Sequence, residues 1–309
     1  MNVKESVINF ALKTSLRLSF KLPSLLPMPL VLARQGMELS AGLMPPPQGI
    51  DRTSLRLGAV MADRISVTGN TDSDWAMLFI HGGAFFAGSA ATHAGFGAEL
   101  ALRSGMTIFL LEYRRAPESI YPAALDDAVA GYQALLAQGY AADRIILGGD
   151  SCGGAHVLSL ALELRDQGIA MPAAQILMSP FLDMTLTSNS IHAKRHVDPM
   201  LTQLMLRRGA DAYRGSLAAD DRRVSPVFAD LTGLPQTLIQ VGSEEILLDD
   251  ARALRDRGHA AGMVIEYQEF AGMWHDFQLF SAVLKTADGA VDDMVNFIQR
   301  VQSGSVVQG

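Results

Sequence analysis

The sequence predicts an α/β protein whose mostly parallel central sheet is flanked by helices, and two observations lead to this prediction. Short, nearly uniformly apolar runs at residues 75–80, 106–112, 145–147 and 175–178 alternate with segments whose apolar residues recur at helical spacing. Uniformly apolar strands are typical of sheets covered on both faces, and their alternation with helices is typical of βαβ units. Functional residues are therefore expected in the loops at the carboxyl ends of the strands.

Composition and charge narrow the class of protein. The chain has 309 residues, 49% of them hydrophobic, which is enough to bury a substantial core. Its formal net charge of −7 argues against a nucleic-acid binder, because neutralising phosphates needs a basic face. Cys152 is the only cysteine, so neither an intramolecular disulfide nor a cysteine-based zinc site can form. Charged residues or prolines interrupt every apolar run before it reaches the roughly 18 residues of a membrane-spanning helix, so we expect no stable membrane insertion.

Residues 1–50 form the first predicted unit, one or two helices followed by the proline-rich connector Met44-Pro45-Pro46-Pro47. Basic residues interrupt its apolar stretch where a signal peptide would be continuous, so we expect a cytoplasmic protein. The apolar residues of its first part fall on one helical face, which we expect to pack on the rest of the protein; a membrane surface is the alternative. That face consists of Val7, Ile8, Ala11, Leu12 and Leu16.

The core is predicted over residues 51–184 and again over 223–309, separated by a polar insertion at 185–222. The alternating stretch within residues 59–68 indicates antiparallel edge strands. The remaining elements follow from apolar runs, which indicate strands, and from helical spacing. They are strand 75–80, helix 91–104, strand 106–112, helix 123–138, strand 145–147, helix 155–167, strand 175–178, helix 201–213, strand 236–241, a helix ending near 258, strand 264–270 and helix 290–301.

The motif Gly149-Asp150-Ser151-Cys152-Gly153 lies between the strand at 145–147 and the helix at 155–167. Small flanking residues let the backbone turn sharply enough between a strand and a helix to expose the serine hydroxyl. A chain with 28 glycines can contain such a motif by chance. The strand before it and the helix after it favour Ser151 as a nucleophile.

A serine hydroxyl is a poor nucleophile until a base removes its proton, and a carboxylate that orients the base completes the machinery. In hydrolases of this kind the chain order is serine, acid, histidine. Glu245 follows the strand at 236–241 and His275 follows the strand at 264–270, so both fit that order. Asp249 is the alternative acid, although we expect Asp249 and Asp250 to begin the next helix.

A glycine-rich loop, His81-Gly82-Gly83-Ala84, follows the strand at 75–80. Backbone N–H groups in such a loop can bind the oxyanion that develops during acyl transfer, together with the N–H of the residue after the nucleophile. We therefore predict Gly82, Gly83 and Cys152 as the oxyanion hole. An ordinary glycine-rich turn is the alternative interpretation.

Several motifs together resemble the hormone-sensitive-lipase-like esterases, the bacterial family IV carboxylesterases, over about residues 75–280. These motifs are His81-Gly82-Gly83, Tyr113-Arg114-Arg115-Ala116-Pro117-Glu118, Tyr121-Pro122-Ala123, Gly149-Asp150-Ser151-Cys152-Gly153-Gly154 and the loop around His275. The resemblance implies an α/β-hydrolase core, a helical cap built from residues 1–50 and 185–222, and ester hydrolysis without a cofactor. It implies Ser151 as nucleophile, His275 as base and Glu245 or its neighbour as acid; a subgroup of the family uses glutamate.

Two residues depart from the usual pattern of the family. Ala84 stands where a third glycine is usual, and Cys152 stands where alanine is usual. Ala84 tolerates fewer backbone conformations than glycine but keeps its N–H. Cys152 raises the alternative of a thiol nucleophile; because the turn presents Ser151, we expect the thiol to point into the core and to be inert.

We therefore expect a serine carboxylesterase that acts on small-molecule esters, and the resemblance implies short- to medium-chain acyl groups. A non-catalytic ligand-binding protein on the same fold, and an amidase or lipase with the same triad, are the alternatives. We expect Met200, Leu201 and Met205 to line the acyl pocket or to pack in the cap. The pair His192 and His196 lacks the glutamate of a helical zinc motif, so we expect no metal. A homodimer through the edge formed by the last strands is also predicted.

Overall fold

A computed structural model describes residues 3–26, 29–41, 48–70 and 73–304 of the chain. One eight-stranded sheet organises them, in the spatial order β1-β2-β4-β3-β5-β6-β7-β8. The strands are β1 (Ile50–Leu57), β2 (Val60–Val67), β3 (Ala76–Ile80), β4 (Thr107–Glu112), β5 (Ile145–Asp150), β6 (Ala174–Met178), β7 (Gln236–Gly242) and β8 (Ile265–Phe270). The six strands from β4 to β8 in this order are parallel, and β1 and β2 form an antiparallel hairpin at one edge.

The predicted α/β class with a mostly parallel sheet is confirmed, and one strand was not predicted. β1 pairs with β2 along its whole length, from Ile50 with Val67 to Leu57 with Val60. Most of its side chains are exposed, so its sequence lacks the apolar run that marks a buried strand. Hydrogen bonding to β2, and not burial of an apolar run, therefore holds β1 in the sheet.

Helices cover both faces of the sheet. They are α1 (Val3–Leu16), α2 (Leu22–Ser24), α3 (Leu30–Ala41), α4 (Ala90–Ser104), α5 (Ala123–Ala137), α6 (Cys152–Asp166), α7 (Asn189–Ala193), α8 (Gln203–Arg214), α9 (Leu248–Ala260) and α10 (Lys285–Gln302). One apolar cluster joins the sheet to α5, α6 and α9, and a second joins it to α4 and α10. Both faces of the central strands β3, β4, β5 and β6 are thus buried, which explains their mostly apolar sequences.

The helix after the central strand begins at Cys152, three residues earlier than predicted. Gly153 and Gly154 lie in its first turn and are needed for close packing. A Cβ on Gly153 would overlap the carbonyl oxygen of Ile80 at the end of β3, and a Cβ on Gly154 would lie 2.8 Å from the Cβ of Pro180. Gly153 was expected to allow the turn; in the structure Gly153 and Gly154 allow α6 to begin against the neighbouring strand ends.

The N-terminal helices pack against the rest of the protein, as expected, although with a different face of α1. Leu16 is buried and Leu12 packs beside it, whereas Val7 and Ala11 are exposed. Polar contacts also fix this segment: Lys13 Nζ lies 2.6 Å from Glu244 Oε2. Among the described residues, no helix has the length and apolar character needed to cross a membrane.

Two further contacts tie the N-terminal segment to residues 185–222. Lys21 Nζ donates to the carbonyl oxygen of Arg195 at 2.6 Å, and the hydroxyls of Ser24 and Thr202 lie 2.9 Å apart. α8, the main helix of that insertion, starts two residues later than predicted, and the Thr202 hydroxyl caps it by accepting from Met205 N–H at 3.1 Å. The predicted connector at residues 44–47 lies outside the described residues.

Candidate active site

Ser151 sits on a strained turn between β5 and α6. Its backbone angles are φ 53° and ψ −124°, a region that residues with a side chain rarely adopt. Its N–H donates to the carbonyl oxygen of Met178, 2.9 Å away on β6, which holds the turn against the sheet. The side chain of Ser151 lines a cavity at the carboxyl ends of the strands. The sharp strand-to-helix turn predicted for the motif is therefore present.

The side chains of His275 and Glu245 meet at the carboxyl ends of β8 and β7. His275 Nδ1 lies 2.9 Å from Glu245 Oε2, and both residues are buried. Glu245 is fixed in turn, because its Oε1 accepts from Ser179 Oγ at 2.8 Å and from Gly242 N–H at 2.6 Å. The carboxylate thereby selects the tautomer of His275 that carries hydrogen on Nδ1.

Asp249, the alternative acid, is not part of this arrangement. Its carboxylate accepts from Ser190 N–H at 2.7 Å and lies 3.3 Å from a guanidinium nitrogen of Arg252. As expected, Asp249 and Asp250 lie in the first turn of α9. The structure therefore brings Glu245 to His275 and places Asp249 elsewhere.

The second ring nitrogen of His275 contacts Asp276, a residue that was not predicted to belong to the site. His275 Nε2 lies 3.0 Å from Asp276 Oδ2, and no hydrogen bond among the described residues joins it to Ser151. Burial by itself would lower the pKa of His275, but the Asp276 and Glu245 carboxylates outweigh burial and hold that pKa well above its usual range. Adjacency to His275 in the chain was the only sequence signal for Asp276.

The glycine-rich loop after β3 is held by Asp150, and this corrects one predicted residue. Gly82 N–H donates to Asp150 Oδ1 at 2.9 Å, so the structure does not support Gly82 as an oxyanion donor. Neither Gly83 nor Ala84 donates a backbone hydrogen bond within the described part of the chain. Cys152 is the first residue of α6, where an N–H has no acceptor inside the helix. The N–H groups of these three residues are therefore available.

Asp150 is itself paired with a histidine that sequence reasoning missed. Its Oδ2 lies 3.3 Å from Nε2 of His93, and both side chains are buried. Burial would raise the pKa of Asp150, but His93 and the hydrogen bond from Gly82 outweigh burial and lower it. A negative carboxylate thus anchors the loop. Nothing in the helical pattern of residues 90–104 distinguishes His93 as its partner.

Cys152 contributes its backbone to the turn while its thiol faces the core, as predicted. The residue is fully buried, and its Sγ accepts from Phe85 N–H at 3.1 Å. Burial raises the pKa of the thiol to about 12. A thiol that stays protonated and has no access to solvent is a poor nucleophile.

The cavity beside Ser151 has a volume of about 190 Å³ and mostly apolar walls. Leu16 and Phe20 come from the N-terminal segment, and Met200, Leu201 and Met205 come from the insertion. Ser151, His275 and Asp276 form part of the polar wall together with Gly83 and Ala84. The predicted pocket residues therefore do face the site. Among the described residues, no group of three or more His, Cys, Asp or Glu side chains is arranged to hold a metal.

We predict that the Cys152 thiol resists modification in the folded protein. Because it is buried and its pKa is raised to about 12, a disulfide reagent such as DTNB should label it at a rate set by unfolding. The measurement is the release of thionitrobenzoate with and without guanidinium chloride. Rapid stoichiometric labelling without denaturant, accompanied by loss of Ser151 reactivity, would contradict the inert role.

Comparisons with known proteins identify the family and the fold. Residues 77–279 match the family described as alpha/beta hydrolase fold. An esterase of Acinetobacter venetianus is 38% identical over 283 residues, which cover 91% of this chain and 93% of that protein. An acetyl-hydrolase of Streptomyces hygroscopicus is 37% identical over 248 residues, which cover 76% of this chain and 82% of that protein.

A solved structure gives the same result. An esterase from the bacterial hormone-sensitive lipase (HSL) family matches with a TM-score of 0.90 at 33% identity, over 97% of this chain and 99% of its own. The resemblance inferred from the motifs is thereby confirmed over nearly the whole length. The chain belongs to the α/β-hydrolase fold family, among the esterases of the bacterial hormone-sensitive-lipase group.

Proposed function

We propose that the protein is a serine carboxylesterase in which Ser151 is the nucleophile, His275 the general base and Glu245 the carboxylate that orients it. The observation that carries the proposal is the buried contact of 2.9 Å between Glu245 and His275 at the cavity that the strained Ser151 also lines. Nucleophile, base and orienting group on three separate loops are what acyl transfer requires. The names of the esterase and acetyl-hydrolase relatives support the same reaction class.

In the proposed reaction Ser151 Oγ attacks the carbonyl carbon of the ester while His275 Nε2 takes the hydroxyl proton. The π electrons of the carbonyl move to its oxygen, and their return breaks the bond to the alcohol, which leaves with the proton from His275. A water molecule, deprotonated by the same histidine, then attacks the acyl carbon, the bond from that carbon to Ser151 Oγ breaks, and His275 returns the proton to Ser151 as the acid leaves. Glu245 remains ionised and stabilises the imidazolium in each half-reaction.

The proposed oxyanion hole consists of the N–H groups of Gly83, Ala84 and Cys152. This differs from the sequence prediction at one position, because the N–H of Gly82 donates to Asp150. Ala84 adopts a positive φ of 49°, which costs more for alanine than for glycine. An unsatisfied N–H beside the reacting carbonyl is the type of donor that stabilises the tetrahedral intermediate.

The size and polarity of the cavity support short acyl chains. An apolar cavity of about 150 Å³ can hold a benzene molecule. The cavity here has about 190 Å³ of mostly apolar space, which suits an acetyl to butyryl group. We also propose that residues 1–50 and 185–222 form one cap, since both contribute walls to this cavity and contact each other through Lys21 and Ser24. The homodimer and the cytoplasmic location stay predictions.

Replacement of Ser151 tests the nucleophile. Ser151→Ala should lower kcat for p-nitrophenyl butyrate by about 10³-fold or more, because the acyl-enzyme cannot form. Ser159→Ala is the matched control, since Ser159 lies two turns further along the same helix and outside the cavity lining. Equal rates for Ser151→Ala and wild type would refute the proposal. Labelling of Ser151 by a fluorophosphonate separates an active site from a ligand-binding protein on the same fold.

A pair of acidic replacements tests the assignment of the acid. Glu245→Gln should lower kcat by roughly 10²- to 10⁴-fold, because the amide cannot stabilise the imidazolium. Asp249→Asn should change kcat by less than about threefold, because Asp249 contacts Ser190 and Arg252 instead of His275. Both rates are measured with the same ester at saturating concentration. The reverse pattern would make Asp249 the acid.

A change in the cap tests its role in acyl-chain selection. Phe20→Ala enlarges a wall of the cavity, so kcat/KM for p-nitrophenyl octanoate relative to the acetate should rise by about tenfold. Phe10→Ala is the control on the same segment, because Phe10 is 70% exposed and should leave this ratio unchanged. An unchanged ratio in Phe20→Ala would show that the cap does not line the acyl site.

A further inference from the structure

The imidazole of His275 lies between two carboxylates, one at each ring nitrogen. Glu245 Oε2 is 2.9 Å from Nδ1, and Asp276 Oδ2 is 3.0 Å from Nε2. The proposed mechanism uses the first contact to orient the ring. The second contact occupies the nitrogen that has to receive the proton of Ser151.

A carboxylate lies at each ring nitrogen of His275, in a hydrogen bond at Nδ1 and within ion-pair distance at Nε2. A neutral imidazole carries one hydrogen, and the hydrogen bond with Glu245 places it on Nδ1. The unprotonated, electron-rich Nε2 would then lie 3.0 Å from a negative Asp276 oxygen, which is repulsive. A proton on Nε2 turns this repulsion into attraction, so the contact favours the imidazolium form of His275.

Asp276 has few other groups to stabilise its negative charge. Its Oδ1 is buried without a hydrogen-bond partner among the described residues, so His275 alone contacts the carboxylate. The buried carboxylate of Asp198, by contrast, accepts from the N–H groups of Met200, Leu201 and Ile246. A buried carboxylate needs such partners, and Asp276 lacks them. The proton on His275 Nε2 beside it is therefore held strongly.

The backbone places Asp276 in this position. Asp276 has φ 53° and ψ 34°, in the left-handed region that aspartate tolerates better than most residues. Its N–H donates to Ser179 Oγ at 3.2 Å, and Ser179 also donates to Glu245. One serine on the loop after β6 thus fixes the carboxylate of Glu245 and the backbone of Asp276.

Other titratable groups act on this pair from the elements packed around it. They are Glu245 after β7, Asp150 at the end of β5, His93 on α4, Asp198 in the insertion and Cys152 at the start of α6. Asp150 and Glu245 carry negative charge near Asp276 and favour retention of its proton. Asp150 is itself paired with His93, and within the described part of the chain Asp276 is the one ionisable group paired with Nε2 of His275.

We propose that Asp276 is a positioning residue whose carboxylate contacts His275 at Nε2 and thereby sets the lower pH limit of the esterase activity. This inference rests on the proposed role of His275 as the general base. When Nε2 loses its proton to water, the Nδ1–H of His275 still donates to Glu245, and Nε2 has a free lone pair. The unprotonated Nε2 and the Asp276 carboxylate then repel each other. Nε2 is thereby free to accept the hydrogen of Ser151.

The direction of the effect follows from the two carboxylates. Burial by itself would lower the pKa of His275, but Asp276, followed by Glu245, raises it well above the usual range. The base form therefore exists only above this raised pKa, and activity is lost as pH falls through it. Removing the charge of Asp276 should shift the acid limb of the pH profile to lower pH.

The test is the ¹⁵N NMR titration of His275 in wild type, Asp276→Asn and Asp276→Gly, with the resonance assigned by its loss in His275→Ala. Both variants tolerate the left-handed backbone. Loss of one contacting carboxylate should lower the pKa of His275 by about 1 to 3 units. Glu244→Gln, which removes a partly exposed charge next to Glu245, is the control and should shift the pKa far less.

The acid limb of kcat/KM for p-nitrophenyl butyrate should move by the same amount in both variants. An unchanged pKa of His275 in both, or a wild-type pKa at or below the ordinary value of about 6.5, would overturn the inference. So would a fall in kcat with the acid limb unmoved, since that indicates a purely structural role. The NMR titration does not depend on turnover, so an inactive wild type would refute the proposed function and leave this inference to be decided separately.

Discussion

The buried contact between Glu245 and His275 is the constraint on which the rest of the site depends. It joins residues 30 positions apart, on loops that follow β7 and β8, so it forms only when these strands pair in the observed register. Ser179 and the N–H of Gly242 fix the carboxylate, which in turn fixes the ring. A buried ionised group without these partners would cost several kcal/mol, so the local hydrogen bonds and the sheet register stabilise each other.

Sequence order was sufficient to predict that Ser151, Glu245 and His275 lie close together, because each follows a predicted strand. The parallel sheet then brings the three loops to one edge. The failures have a different physical origin. Whether Gly82 or Ala84 has a free N–H depends on where the Asp150 side chain points, and the contact of Asp276 with Nε2 depends on a left-handed backbone. Neither is encoded in spacing or periodicity.

The carboxylates around the cavity show how burial separates chemical roles. Asp150 has a histidine and a backbone donor, and its pKa is lowered. Among the residues that the structure describes, the Asp276 carboxylate is paired only with His275, and burial, with further contributions from Asp150 and Glu245, raises its pKa. The pKa values of two aspartates that look equivalent in the sequence are therefore shifted in opposite directions. The pairing of Asp150 with His93 and with the N–H of Gly82 outweighs burial, whereas burial prevails at Asp276.

The packing of Gly153 against Ile80 has a consequence for how this enzyme can diversify. The first turn of α6 rests directly on the end of β3, the strand that leads into the glycine-rich loop. Ser151 and the N–H groups of Gly83, Ala84 and Cys152 thus lie on directly packed elements, and a side chain inserted at position 153 would displace both. Substitutions at Leu16, Phe20 and Met205 can change the substrate preference instead, because these residues line the cavity but lie outside α6, β3 and the glycine-rich loop.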